Sequence, residues 1–301
     1  MLDISIIDGA FTREFGFEEG CRRIYEAGFR VVDWTLPRAW RITITSKTGR
    51  IPEDSYMLQD FEYIKEYLRP QVEDIKNAGL TIGQSHAEIG VFFANKPEFT
   101  ADCVKGYSNT IKACEWVGCP YLIIHPLSRP LDDELTYEEI FDRNITLFSG
   151  LIPQLKESGV KVCIENTVVH THDQQDRCSM FFDDPYDAVR MLDTLNEMAG
   201  QECFAFCLDT GHLNLSRKTQ REYINVLGHR LQTLHLNDNH LSGDSHNSPR
   251  HGTADWDEII AGLRDIHYRG TLNFETCVMP YYEGLAEYGM EMRERILAPE
   301  A

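Results

Sequence analysis

Eight short, β-rich apolar runs recur along the chain, and longer amphipathic segments separate them. They span residues 3–8, 30–34, 81–86, 121–125, 161–165, 204–209, 233–235 and 271–275. Near-continuous apolar strands alternating with helices predict a parallel sheet covered on its outer face. Eight such alternations predict an α/β chain folded as a closed (β/α)8 TIM barrel, one domain over residues 1–301. An open doubly wound sheet explains less, because Asp8-Gly9-Ala10-Phe11 offers one glycine and no phosphate loop after the first strand. Gly28, Gly79, Gly118, Gly159, Gly200 and Gly270 precede strands and fit left-handed helix ends. Residues 61–77 carry Phe61, Ile64, Tyr67, Leu68, Val72 and Ile75 near one helical face, and Asp255 with Glu258 looks like a capping box.

The last four runs end in groups that ligate metals: Glu165, Asp209, His235 and Glu275. A polar tip on an apolar strand is costly unless it faces a site. Any one of these acids could instead cap a helix or pair with a lysine. Four in succession make an oxygen-rich ligand set with one imidazole, suited to Mn2+, Mg2+ or Co2+ at least as well as Zn2+. His86 and His125 end earlier strands, His212 follows Asp209 by three residues, and Asp244 and His246 follow the seventh strand. Each has an ordinary alternative as a hydrogen-bonded structural residue or a turn. The longest irregular stretches, 35–58, 166–183 and 236–254, fall after strands two, five and seven. In a barrel all three lie on the face that carries the site.

The formal net charge of −19 weighs against polyanion partners such as nucleic acid and favours small-molecule chemistry. One local exception is the stretch 38–50, where Arg38, Arg41, Lys47 and Arg50 accompany Trp40 with no acid. It could hold a phosphate or acidic sugar, act as a lid, or be a solvated loop or subunit contact. Nine scattered cysteines without a Cys-x-x-Cys pair suggest reduced thiols and a cytoplasmic protein. No signal peptide or membrane-length apolar run is visible, so no membrane partner is expected.

The motifs Ile164-Glu165-Asn166-Thr167, Leu208-Asp209-Thr210-Gly211-His212, His235-Leu236-Asn237-Asp238-Asn239 and Phe274-Glu275-Thr276 resemble the signature of the xylose isomerase-like barrel superfamily. That superfamily includes ketose 3-epimerases, sugar-phosphate isomerases, inosose dehydratases and endonuclease IV. The resemblance spans roughly residues 3–276 and is densest from 161 onward. It implies one divalent ion held by Glu165, Asp209, His235 and Glu275, with the two glutamates as an acid/base pair working through an enediolate. On this reading the chain is a sugar or sugar-phosphate isomerase or epimerase. His86, His125, His212, His246 and Arg250 are then expected to bind substrate. A ketosugar dehydratase or lyase shares the first step.

The endonuclease IV branch uses three zinc ions, and His86, His125, His212, Asp244 and His246 match its further ligand positions. An AP endonuclease is therefore the alternative. Against it stand the charge and the segment Pro249 to Trp256, which resembles a sugar-type Pro-Gly-x-Gly-x-x-Asp-Trp ending with Arg250 in place of the first glycine. The sugar's identity, its phosphorylation and a homo-oligomeric state stay open.

Overall fold

The computed structural model describes residues 2–37, 50–87, 97–128, 134–170, 177–276 and 284–298. The eight expected runs form one parallel sheet: β1 (Ile4–Ile7), β2 (Val31–Thr35), β3 (Thr81–His86), β4 (Tyr121–Ile124), β5 (Lys161–Glu165), β8 (Phe204–Asp209), β9 (Leu231–His235) and β10 (Leu272–Phe274). Neighbours run in chain order, and β10 also pairs with β1. Between β9 and β10 the seam is closed just past the strand end. There Leu236 N–H donates to Asn273 O at 2.8 Å and Glu275 N–H donates to Leu236 O at 3.1 Å. The result is a (β/α)8 TIM barrel.

Two departures from the sequence reading have clear causes. Residues 166–183 are not wholly irregular, since β6 (Thr167–His170) and β7 (Arg177–Phe181) pair as an antiparallel hairpin. Its β-branched start, Thr167-Val168-Val169, supplies the strand propensity that the polar residues beyond it hide. Among the six glycines, five have positive φ, whereas Gly270 does not and His267 takes that role with φ 54°. Gly270 is required by space instead: a Cβ there would lie 2.3 Å from Gln232 O.

Period-two alternation sorts each strand. Val162 and Ile164, Phe204, Phe206 and Leu208, and Leu234 face outward into the main core between barrel and helices. Ile123, Cys163, Ala205 and Cys207 form a separate cluster within the barrel, beneath the strand tips. Burial raises the thiols of Cys163, to about 12, and Cys207, so they serve as small apolar filler. The next inward position on β5, β8 and β9 is Glu165, Asp209 or His235. The alternation that builds the core therefore also aims these ligands at one point.

The helices lock these strands from outside. α3 (Phe61–Asn77) buries Ile64, Leu68, Val72 and Ile75 of the expected apolar face, whereas Phe61 is half-buried and Tyr67 exposed. α7 (Pro185–Ala199) ends at Gly200, and its Asn196 side chain accepts from Cys203 N and Phe204 N, both at 2.9 Å, fixing where β8 begins. No helix among the described residues is long and apolar enough to cross a membrane.

Phe206 is fully buried on β8, edge-on to Phe182 at 5.8 Å. Phe206→Ala should cost ~3–5 kcal/mol in urea denaturation, and divalent-ion binding should weaken as β8 loosens beneath Asp209.

Candidate metal centre

Asp209 does two jobs at the end of β8. Its Oδ1 accepts from His212 N at 2.6 Å, capping the short helix α8 (Thr210–Ser216), and its Oδ2 accepts from Asn237 Nδ2 at 2.6 Å. An ionised carboxylate has about four acceptor positions, so coordination capacity remains. Gly211 follows because its backbone passes so close to Asn237 that a Cβ would sit 1.9 Å from Oδ1.

The Asn237-Asp238-Asn239 segment after β9 is fully buried and anchors the following loop. Asn237 fixes Asp209, and Asn239 Nδ2 donates to Gly211 O at 2.8 Å. Asp238 accepts from Trp256 Nε1 at 2.9 Å and Ala254 N at 3.0 Å. A Cβ on Gly252 would lie 2.2 Å from Asp238 Oδ1, which explains the glycine in the Pro249–Trp256 segment. Asp255 accepts from Glu258 N at 3.1 Å and caps α10 (Trp256–Asp265).

On this scaffold the four predicted ligands converge. One ligand atom from each of Glu165, Asp209, His235 and Glu275 lies within 4.8 Å of all the others. His235 Nδ1 stands 3.1 Å from Glu165 Oε2 and 2.9 Å from Glu275 Oε2. Those three atoms are buried and make no hydrogen bond. Buried polar atoms without partners are costly unless an ion or proton joins them. The donor set thus fits a divalent cation.

The other expected residues gather around this cup. His86 Nε2 and His125 Nε2 are 3.2 Å apart and lie 3.5 and 3.1 Å from Glu165 Oε2. His212 Nε2 and His246 Nε2 lie 3.2 and 3.0 Å from one oxygen of Asp244. His86 with Glu165 and His235, and His212 with Asp244 and His246, are two further groups with metal-ligand spacing.

The anchoring of the rings is informative. His86 Nδ1 faces Ala87 O at 2.7 Å, His212 Nδ1 faces Asn166 O at 2.7 Å, and His246 Nδ1 faces Glu275 O at 3.2 Å. A carbonyl only accepts, so each Nδ1 carries the proton and each Nε2 is turned into the cluster. Fixing one ring nitrogen to present the other is how proteins hold metal-ligating histidines.

Arg250 lies elsewhere. Its guanidinium rests 4.4 Å over the Tyr288 ring and 3.0 Å from Glu291, both on α11 (Leu285–Leu297). Its φ of 69° is the left-handed conformation for which the sugar-type pattern keeps glycine. Of the cationic stretch 38–50, only Arg50 is among the described residues, and it forms a two-pronged pair with Asp102. Sequence reasoning missed Asp33, the buried carboxylate on β2 whose Oδ2 lies 3.1 Å from His235 Nε2. Its only signal was an acid in an apolar strand, Val31-Val32-Asp33-Trp34.

Burial and neighbouring charges pull the groups of the cluster in different directions. Burial works against ionising Glu165, but His235 and His125 hold it well below the carboxylate range. For Glu275 burial is likewise overcome, by His235 and His246, bringing it down to about 2. Burial dominates at Asp209 and lifts it to about 6. Burial opposes charging His212, yet Asp209 and Asp244 raise it to about 10.

A family model described as a xylose isomerase-like TIM barrel matches residues 21–296. The chain belongs to that family. This member is similar to the uncharacterized protein y4fM of Sinorhizobium fredii (strain NBRC 101917 / NGR234), at 24% identity over 92% of this chain and 88% of that protein. Among solved structures it resembles a D-tagatose 3-epimerase-like protein (TM-score 0.70, 16% identity, 98% and 97% of the two chains). It also resembles an IOLI protein with a bound zinc atom (TM-score 0.66, 16% identity, 98% and 96%). AP endonuclease, family 2 from Brucella melitensis is similar as well (TM-score 0.68, 15% identity, 97% and 99%).

His212 titrates with a definite sign. Its folded value of about 10 lies above the ordinary 6.5, so its charged form stabilises the metal-free fold fully below pH 6.5. That contribution fades as pH rises through about 10. Melts of metal-free protein should show His212→Gln falling furthest behind the wild type below pH 6.5 and drawing level toward pH 10.

Proposed function

We propose that this chain is a divalent-metal-dependent isomerase or epimerase of a sugar or sugar phosphate. The reading rests on the cup of Glu165, Asp209, His235 and Glu275, where unbonded buried atoms of Glu165, His235 and Glu275 converge beside Asp209 as a cation's ligands do. An ion held there would supply Lewis acidity to a carbonyl sugar, worth several kcal/mol in enediolate formation. The protein's own contribution is proton transfer. Glu275, with its side chain 15% exposed, is open to a substrate, and its depressed pKa leaves it ionised at neutral pH. It takes the proton beside the carbonyl. Glu165, at the end of β5, is ionised and has no proton of its own to give, so it returns one on its own side only after taking it from a neighbouring imidazolium such as His86, whose Nε2 lies 3.5 Å from its Oε2. His212 orders substrate next to Glu165, whose Oε1 lies 3.7 Å from His212 Nδ1. Dehydration of a ketosugar would share the first proton transfer and differ in what leaves next.

The D-tagatose 3-epimerase-like neighbour supports sugar chemistry at the level of fold, and the zinc-bearing IOLI neighbour supports a divalent metal. A second reading, an AP endonuclease with three ions, is favoured by the two additional ligand groups around Glu165 and Asp244. We place it second because the chain carries a net charge of −19, and DNA binding requires phosphate neutralisation. Arg50 and Arg250 are moreover each engaged with an acid.

Two measurements separate the readings. Metal-replete protein incubated in D2O with ketopentoses and ketohexoses, free and phosphorylated, should place deuterium beside the carbonyl. Glu275→Gln should abolish that wash-in, since positioned proton transfer contributes ~10²–10⁴-fold. Conversion without solvent deuterium would exclude the enediolate route. Elemental analysis should give one tightly held divalent ion. Three ions together with rapid incision of an abasic duplex would establish the nuclease instead.

A further inference from the structure

The cluster histidines with described anchors divide unequally. His86, His212 and His246 each rest Nδ1 on a backbone carbonyl and turn Nε2 inward. His235 does the reverse, presenting Nδ1 to Glu165 and Glu275 and placing Nε2 3.1 Å from Asp33 Oδ2. Its anchor is a side chain, and a fully buried acidic one.

Asp33 is set by its own network. Asn273 Oδ1 accepts from Ser5 Oγ at 2.6 Å, which leaves Asn273 Nδ2 to donate to Asp33 Oδ2 at 3.0 Å. Gln84 Nε2 donates to the same oxygen at 2.8 Å. The pairing of β2 with β3 shifts register between Val32 and Asp33, so that Asp33 stands opposite Gln84. Gly83 permits that shift, because a Cβ there would meet Val31 Cγ1 at 2.5 Å. Two amides thus hold one carboxylate oxygen in place, and the third group facing it is His235. Asp33 forms no ion pair with Lys or Arg among the described residues, and Oδ1 is buried without a partner. Such a buried acid is costly unless the group it serves repays it.

We propose that Asp33 is the positioning residue of the metal centre: it holds the His235 ring with its proton on Nε2, so that the Nδ1 lone pair faces the space between Glu165 and Glu275. The carboxylate also makes the imidazole a better donor, as outer-shell acids do for metal-bound histidines. The arrangement spans β1, β2, β3, β9 and β10, so the barrel wall itself orients one ligand. This inference rests on the metal reading above but not on the reaction assigned to it.

Asp33→Asn keeps shape and a carbonyl oxygen able to accept the three donors while removing the carboxylate. Asp33→Leu removes the acceptor as well. Each folded variant, checked by circular dichroism, would be titrated with Zn2+ alone beside wild type and Glu275→Gln. Outer-shell changes typically weaken metal binding ~10–100-fold, and both Asp33 variants should do so. In 15N spectra of the Zn2+-loaded wild type, the His235 ring proton should appear on Nε2 as a hydrogen-bonded, slowly exchanging signal. In Asp33→Leu that protection should be lost, a readout that mere loss of stability would not produce. If Asp33→Leu fails to fold, Asp33→Asn carries the affinity test. Wild-type affinity in folded Asp33→Asn, with binding lost in Glu275→Gln, would overturn the role of Asp33 and leave the metal site standing. A His235 proton on Nδ1 would overturn it as well. A wild type that takes up no Zn2+ would overturn both.

Discussion

The mouth of this barrel is governed by the cost of placing acids where water does not reach. Asp33, Glu165 and Asp209 are essentially inaccessible, and Glu275 only partly open. Carboxylates so close together repel one another and lose hydration, a penalty that simple pairing with one imidazole does not offset. The surrounding histidines outweigh it at Glu165 and Glu275, which titrate low, whereas burial prevails at Asp209, which titrates high. A divalent cation held where the unbonded atoms meet would neutralise the remainder. The buried Asn237-Asp238-Asn239 platform, the close-packed Gly211 and Gly252 and the unusual register beside Gly83 follow from holding those charges still.

The fold was legible because one signal repeated eight times. That signal is the strand-and-helix rhythm, with Glu165 and Asp209 at two apolar strand ends; the structure adds that Cys163 and Cys207 lie on the same inward side. His235 and Glu275 followed the same logic. What escaped the sequence was whatever depends on partners distant in the chain. Asp33 looks like one acid in an apolar strand until β3, β9 and β10 bring Gln84, His235 and Asn273 to it. The β6–β7 hairpin was hidden because polar residues interrupt its pattern. His267 in a left-handed conformation has no local sign at all.

The neighbours of Glu165 and Asp244 show how one scaffold supports different chemistries. His86, His212 and His246 stand in groups with metal-ligand spacing around the same cup, and His125 Nε2 lies 3.1 Å from Glu165 Oε2. Likeness to an epimerase-like protein and to an AP endonuclease is a likeness of fold, and one fold can carry more than one chemistry.

Arg250 carries a structural consequence of its own. A residue with a side chain occupies a backbone conformation suited to glycine, and its guanidinium reaches across to Tyr288 and Glu291. Tyr288 in turn packs edge-on against Trp256 at 6.2 Å, and Trp256 bonds Asp238 beneath the loop. The last helix is thereby stitched to the rim that bears Asp244 and His246. A chain with glycine at this position would keep the Tyr288–Trp256 contact but lose the guanidinium brace; here the rim is held from outside at both points, and the posture of the helix that bears Tyr288 becomes part of the shape of the opening.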